Sequence, residues 1–281
     1  MRDFFELSVS AAASGCIYGL VALAYLLMIR PTGIINFAVG EWAMVGAFGG
    51  FLFLSRIELP YPVGMATVLG FMLLVGWATE RIAVRPLVER GAPLLAPILA
   101  LLGMLVVFRE SISLGFGPDP HQVPEPFGFE HQKTWIIVAT IVVFAAVWLF
   151  FEKTTTGKAF EAVSLNRKAA ALMGINLSRV TAASFAGGAA AAGLAGLLVA
   201  PNVSAHYLMG VPLAIQGFTA LVIGGVGRVE GALLGGLLVA FAEQLTVRYA
   251  PLPAGYAQGV PLLLLMLFLL VRPTGLLRAR A

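Results

Sequence analysis

The chain has 281 residues and a formal net charge of +4, and 59% of its residues are hydrophobic but only 11% are charged. Soluble domains carry about 25% charged residues, so this composition, with its mean hydropathy of +0.93, excludes an ordinary soluble globule. Several windows are nearly free of charge over the roughly 20 residues that a helix needs to cross a bilayer, which predicts a polytopic membrane protein.

The amino terminus, MRDFFELSVS, lacks the basic region of a secretory signal, because acidic residues follow its arginine at once. The first apolar segment is therefore expected to remain in the mature protein. Cys16 is the only cysteine in the sequence, which excludes an intrachain disulfide.

Apolar segments follow one another along the whole chain. They cover approximately 7–29, 36–54, 62–80, 93–115, 134–151, 180–200, 213–225, 231–247 and 258–271. The seventh is short and is predicted to be a re-entrant or broken helix, which is tolerated where protein buries the backbone. The sequence thus predicts an all-α transmembrane bundle of eight or nine spans, forming one transmembrane domain over residues 1–281.

Basic residues are distributed unequally between the two sets of connections. If the amino terminus is outside, the outer set is Arg2, Arg56, Lys133 and Arg248. The inner set is larger and comprises Arg30, Arg81, Arg85, Arg90, Lys153, Lys158, Arg167, Lys168, Arg179, Arg228, Arg272, Arg278 and Arg280. Because cytoplasmic loops carry an excess of Lys and Arg, this asymmetry predicts an outer amino terminus and a cytoplasmic carboxyl terminus.

Polar residues interrupt the apolar stretch IRPTGIINFAVGEWAMVGAF at Asn36 and Glu41. A charged side chain near the bilayer centre costs about 3 kcal/mol on insertion scales and usually faces a bundle interior or a cavity. We therefore expect both residues, with Gln216 and Thr219 of the seventh segment, to line a polar pathway through the bundle. On a regular helix Asn36 and Glu41 lie about 140° apart, so either the two residues make different contacts or the helix breaks near Gly40.

Other charged residues lie nearer to the ends of the predicted spans. Snorkelling or local pairing is the default expectation for these residues, which are Glu80, Arg81, Arg109, Glu110 and Glu243. The patterns GCIYG, GAFGG and GALLG place small residues four positions apart and predict close helix packing.

The connection over residues 152–180 has the pattern of an amphipathic helix. Its apolar stripe consists of Ala159, Ala162, Val163, Asn166, Ala169, Ala170 and Met173. Thr155 or Thr156 is predicted to cap the start of the helix, and Gly174 to end it. A helix that lies on lipid usually presents Trp, Phe and Leu, whereas this face is mostly alanine, so the pattern favours docking on a partner protein.

The sequence offers no signature of nucleotide binding or catalysis. It contains no GxxxxGK[ST] motif, so ATP is not expected to bind to this chain. Three scattered histidines and one cysteine make no constellation of nucleophiles or metal ligands, and we expect neither enzymatic activity nor a metal site. The glycine-rich stretch GGVGRVEGALLGG is interpreted either as a closely packed turn or as a contact with a partner.

Five stretches resemble, in order and spacing, the permease subunits of branched-chain amino acid ABC importers of the LivH type. They are GIINFAVGEWAMVGA, ERIAVRPLVERGAPLLAPILALLGMLVVFRESISLGFGPDP, TTTGKAFEAVSLNRKAAALMGIN, GFTALVIGGVGRVEGALLGG and LFLLVRPTGLL, and they span nearly the whole chain. The resemblance implies a subunit of the bacterial inner membrane. It also implies a second, LivM-like permease, two cytoplasmic ATPases that use ATP, and an extracytoplasmic substrate-binding protein.

In that family the loop between the fifth and sixth spans couples the permease to the ATPases. By match, the resemblance assigns this role to Gly157, Glu161, Ala162, Asn166, Ala169, Ala170 and Gly174. The chain reads Glu-Ala-Val where the broader importer motif reads Glu-Ala-Ala followed by glycine. The assignment therefore depends on the LivH-type pattern.

Two alternative functions have different discriminating features. The same architecture could carry urea or short amides, because selectivity in related importers lies largely in the binding protein. An ion-coupled secondary transporter or a channel would work alone, and such folds commonly show inverted repeats and midplane carboxylates. We find neither a clear repeat nor a cluster of acids in this sequence.

Overall fold

Helices form at every apolar segment that the sequence predicts. The computed structural model describes residues 2–126, 129–249, 259–272 and 275–277, so Arg278 and Arg280 of the predicted inner set lie outside it. In chain order the helices are α1 (Arg2–Thr32), α2 (Val39–Gly50), α3 (Tyr61–Thr79), α4 (Arg85–Glu89), α5 (Leu95–Phe116), α6 (Phe129–Lys153), α7 (Thr155–Leu165), α8 (Arg167–Leu172), α9 (Leu177–Val203), α10 (Gly210–Gly224), α11 (Val229–Tyr249) and α12 (Val260–Val271). Within the described ranges there is no β-strand, which confirms the all-α class.

The apolar helices fall into two length classes. Six stretches are long and apolar enough to cross a membrane: Glu6–Thr32, Tyr61–Glu89, Leu95–Phe116, His131–Lys153, Leu177–Val203 and Val229–Tyr249. The predicted short seventh helix is α10, whose 15 residues extend about 22 Å, less than the roughly 30 Å of a bilayer core. α2 is also short, and the π-helical segment Phe51–Arg56 continues it.

The core is centred on α1, α2 and α9, with α10 and α11 packed against them. Every residue of α2 is buried. In the most apolar window of each helix, 83% of residues are buried in α1 but only 11% in α5. α5 therefore lies at the periphery of the bundle.

Helix backbones meet at glycines within this core. A Cβ atom on Gly46 of α2 would collide with the backbone of Gly193 in α9. α1 approaches α11 in the same way, because a Cβ atom on Gly15 would lie 2.7 Å from the Cα of Leu237. Small residues permit such approaches, and the predicted packing role of GCIYG and GAFGG is confirmed.

Three connections between helices are joined by hydrogen bonds. His121, which follows α5, and Ala205, which follows α9, exchange two backbone hydrogen bonds of 2.9 and 2.8 Å. The Gln122 side chain donates to the Ser204 hydroxyl at 2.7 Å. Ser55, at the end of the segment that extends α2, donates to the Gln122 carbonyl at 3.1 Å. We call this set the loop bridge.

The glycine-rich stretch between α10 and α11 forms a tight turn. A Cβ atom on Gly231 would lie 2.6 Å from the Gly224 carbonyl oxygen, so the two helix ends meet at backbone level. The backbone N–H of Leu276 donates to the Ile223 carbonyl at 2.8 Å, which holds the segment after α12 against this turn. These contacts favour the interpretation of a closely packed turn.

Candidate functional site

Asn36 lies in the non-helical link between α1 and α2 and is fully buried. Its side-chain oxygen accepts a hydrogen bond of 2.9 Å from the Ala38 backbone N–H, and its amide nitrogen lies 3.5 Å from the Met28 sulfur. Asn side chains compete in this way with helical backbone bonds. The chain is therefore non-helical over residues 33–38, and α2 begins at Val39. The helix is thus broken next to Gly40, between Asn36 and Glu41, which was one of the two expectations.

Glu41 lies in the first turn of α2, is 1% exposed, and forms an ion pair with Arg109 of α5. The expectation that Arg109 snorkels or pairs locally is wrong, because its partner is 68 residues away in the sequence. Among the described residues, no group hydrogen-bonds to Glu41 Oε2 or to Arg109 Nε. The pair joins the buried α2 to the peripheral α5.

The carboxylate of Glu41 also lies against the amino-terminal end of α10. A Cβ atom built on Gly210, the first residue of α10, would be 2.7 Å from Glu41 Oε2. No side chain caps this end of α10. Helix amino termini carry a partial positive charge that favours a nearby carboxylate. Glu41 therefore connects α2, α5 and α10 at one point.

Gln216 belongs to a second polar cluster, with Tyr18 of α1 and Glu243 of α11. The Tyr18 hydroxyl donates to Glu243 Oε2 at 2.7 Å, and the Gln216 amide donates to Glu243 Oε1 at 3.4 Å. Tyr18 is buried and Glu243 is partly buried. Glu243 thus binds two neutral donors from other helices.

Thr219 lies on α10 and is fully buried, and its hydroxyl has no hydrogen-bond partner among the described residues. Within the described ranges, the four predicted pathway residues make no side-chain hydrogen bond to one another. Asn36 stabilises the start of α2, Glu41 meets Arg109, and Gln216 meets Glu243. Arg109 and Tyr18 were not predicted to be site residues, although the position of Arg109 inside an apolar segment was a usable signal.

The loop at 152–180 contains two helices instead of the predicted single helix. Thr154 caps α7, since its hydroxyl accepts a hydrogen bond of 2.9 Å from the Gly157 backbone N–H. The prediction that Thr155 or Thr156 caps this helix is therefore wrong. Asn166 has extended backbone angles and caps α8 by accepting a hydrogen bond of 3.0 Å from the Ala169 N–H. The predicted stripe residue Asn166 therefore interrupts the helix, because it serves as an N-cap.

Gly174 ends α8 as predicted. Its φ of +82° is a left-handed conformation that glycine adopts without strain. The Ile175 backbone N–H donates to the Ala170 carbonyl at 3.1 Å, which closes this terminus. The loop then leads directly into α9.

The residues matched to the coupling role differ in exposure. Gly157 and Ala170 are buried, and Gly157 lies against the Phe150 carbonyl at the end of α6. The exposed residues are Asn166, Ala169 and Gly174, while Glu161 and Ala162 are intermediate. Three large apolar side chains beside them, Leu165, Leu172 and Met173, are 80%, 89% and 83% exposed. The loop thus has a buried face that packs on the rest of the chain and an exposed apolar face.

This architecture, a bundle of long apolar helices with polar clusters between them, is that of a polytopic membrane protein. A family model described as the permease component of branched-chain amino acid transport systems matches residues 8–269. The chain belongs to this family of transport permeases, which is not a class of enzymes.

Relatives from several bacteria match almost the whole chain. The high-affinity branched-chain amino acid transport system permease protein LivH of Escherichia coli K12 is 31% identical, over 98% of this chain and 95% of its own length. The corresponding BraD protein of Pseudomonas aeruginosa is 30% identical over the same shares of the two chains, 98% and 95%.

A solved structure resembles the fold. PsaBC from Streptococcus pneumoniae, in complex with Fab, aligns with a TM-score of 0.55 and 10% identity, covering 94% of this chain and 91% of that chain. At this identity the similarity concerns the fold alone.

Proposed function

We propose that this chain is the permease subunit of an ATP-driven importer that translocates branched-chain or other hydrophobic amino acids into the cytoplasm. The observation that carries the proposal is the match over 98% of the chain to permeases named for branched-chain amino acid transport. As the permease component of a transport system, the chain works with other components. We infer that these are a second, LivM-like permease, two cytoplasmic ATPases that use ATP, and an extracytoplasmic substrate-binding protein.

In the proposed topology the chain crosses the bacterial inner membrane several times, with its amino terminus outside and its carboxyl terminus in the cytoplasm. The asymmetry of basic residues supports this orientation, since it places Lys153, Lys158, Arg167 and Lys168 on the cytoplasmic side. α7 and α8 are then cytoplasmic as well. The loop bridge lies on the opposite, outer side.

The exposed apolar face of the α7–α8 loop is the proposed ATPase contact. Leu165, Leu172 and Met173 expose apolar surface beside Asn166 and Ala169, which suits a groove on a partner protein. The buried Gly157 and Ala170 act indirectly, because they hold α7 and α8 against the rest of the chain. An Arg167 guanidinium hydrogen bond of 3.2 Å to the Pro31 carbonyl also ties the loop to the end of α1.

The proposed pathway runs beside α2 and α10. Buried polar groups in membrane helices usually face a cavity or another polar group. Glu41 Oε2 and the Thr219 hydroxyl are both buried and have no hydrogen-bond partner within the described part of the chain. Asn36 supports this region by holding the start of α2, and Gln216 continues it along α10.

Reconstitution in liposomes tests the function. The chain is combined with a candidate second permease, ATPases and binding protein, and uptake and ATP hydrolysis are measured with each amino acid, with urea and with short amides. We expect leucine, isoleucine and valine to stimulate both activities. Stimulation by urea or amides alone would contradict the cargo, and uptake by the purified chain without ATPases would contradict the importer.

A further inference from the structure

The Glu41–Arg109 pair has an unusual position in the bundle. Glu41 is on a helix that is buried at every residue, whereas Arg109 projects inward from α5, of which only Pro97 and Leu101 are buried. The Arg109 side chain is itself 23% exposed. The pair therefore spans from the core to the boundary of the bundle.

Hydrogen bonding at the pair is incomplete. Each partner retains a buried polar atom, Glu41 Oε2 or Arg109 Nε, that bonds to no other group in the described ranges. Glu41 Oε2 lies against Gly210, at the uncapped amino-terminal end of α10. Buried polar atoms normally have partners, so two unpartnered atoms in one ion pair point to a ligand.

Electrostatics defines which ligand suits this point. Arg109 supplies one positive charge, the α10 terminus adds a partial positive charge, and Glu41 supplies one negative charge. If α5 separates from α2, Glu41 becomes a buried charge without a partner and Arg109 loses its counter-ion inside an apolar segment, which is strongly unfavourable. A zwitterion replaces both partners at once, because it brings one ammonium and one carboxylate group.

We propose that the Glu41–Arg109 pair and the start of α10 form a binding site for the zwitterionic backbone of an α-amino acid in transit. The α-ammonium group binds to Glu41. The α-carboxylate binds to Arg109 and faces the amino-terminal end of α10. This inference rests on the proposed function, since it specifies which part of the cargo the permease recognises.

Neutralisation of both charges tests the site. Glu41→Gln with Arg109→Gln removes the charges and leaves no unpaired ion, so the complex is expected to assemble. Uptake of leucine should nevertheless fall by about tenfold or more, the effect of losing a hydrogen bond to a charged group. The matched control is Arg85→Gln with Glu89→Gln, which neutralises an exposed ion pair and should leave uptake unchanged.

Wild-type uptake of leucine in the same liposomes tests the proposed function separately. If the wild-type complex imports leucine and the double variant imports it equally well, the pair is structural and the site is overturned. If the wild-type complex imports no amino acid, the proposed function itself fails.

A second measurement uses the wild-type complex and does not depend on folding of a variant. Thermal unfolding is recorded without binding protein, in the presence of leucine, isopentylamine or 4-methylpentanoate at equal concentration. Leucine should raise the Tm more than the amine or the acid alone, because only leucine supplies both charges. Equal protection by the three compounds, or no protection by leucine, would overturn the site.

Discussion

Single side chains decide where helices begin in this protein. Asn36, Thr154 and Asn166 each accept a hydrogen bond from a backbone N–H two or three residues later in the sequence. Such bonds satisfy donors that a helix start leaves free. The helices that follow these residues are α2, α7 and α8.

Replacement of Thr154 by alanine should loosen α7. The Thr154 hydroxyl accepts from the Gly157 N–H, and loss of an N-cap costs about 1 kcal/mol. We expect faster hydrogen exchange at the amides of the first turn of α7, measured by mass spectrometry. Thr155→Ala is the matched control, because the Thr155 side chain does not cap the helix. Equal exchange in the two variants would show that the cap contributes nothing.

Elements of this fold were predictable where the signal is the length of an apolar run. All predicted segments correspond to helices, including the short α10. The reason is that a long run of residues without charge is what a helix needs in order to lie in a bilayer. Periodicity could not predict that the helix in the 152–180 loop is divided into α7 and α8. Asn166 fits both a helix face and an N-cap, and the local hydrogen bond to Ala169 selects the second.

The pairing of Glu41 with Arg109 illustrates a different limit. The pattern identifies two charges in apolar segments, but which helix faces meet depends on the rotation and packing of α2 and α5. The two residues are 68 positions apart, and one sequence holds no measure of that contact. The sequence therefore identified Glu41 as a site residue without its partner.

At the level of whole elements, α8 offers a direct test of the coupling surface. Leu172→Glu places a charge on an apolar side chain that is 89% exposed, so the isolated chain should fold normally. Desolvation of the new carboxylate should weaken ATPase binding by about tenfold or more, since burial of an unpaired charge is costly. Co-purification and titration of the ATPase measure the effect.

The control for this variant is Lys168→Glu, which changes an exposed polar residue of the same helix. Normal ATPase binding by the Leu172→Glu variant would show that the exposed apolar face of the α7–α8 loop is not the ATPase contact. A loss of binding in both variants to the same extent would indicate a general charge effect.

The orientation of the whole molecule can be tested by labelling single cysteines. Cys16→Ser removes the natural thiol, and Lys158→Cys and Arg56→Cys then introduce one thiol each at exposed positions. In intact cells with a permeable outer membrane, an impermeant maleimide should label the Arg56→Cys variant but not the Lys158→Cys variant. The reverse pattern would invert the proposed topology.

The loop bridge has a consequence for biogenesis. His121 and Ala205 bond to each other, yet α6, α7, α8 and α9 lie between them in the chain. During synthesis from the amino terminus, the connection after α5 is made long before its partner exists. The backbone N–H and C=O groups of His121 must therefore remain bonded to water, or to a chaperone, until α9 has inserted. One face of the permease thus matures late in synthesis, after most of its membrane helices are in place.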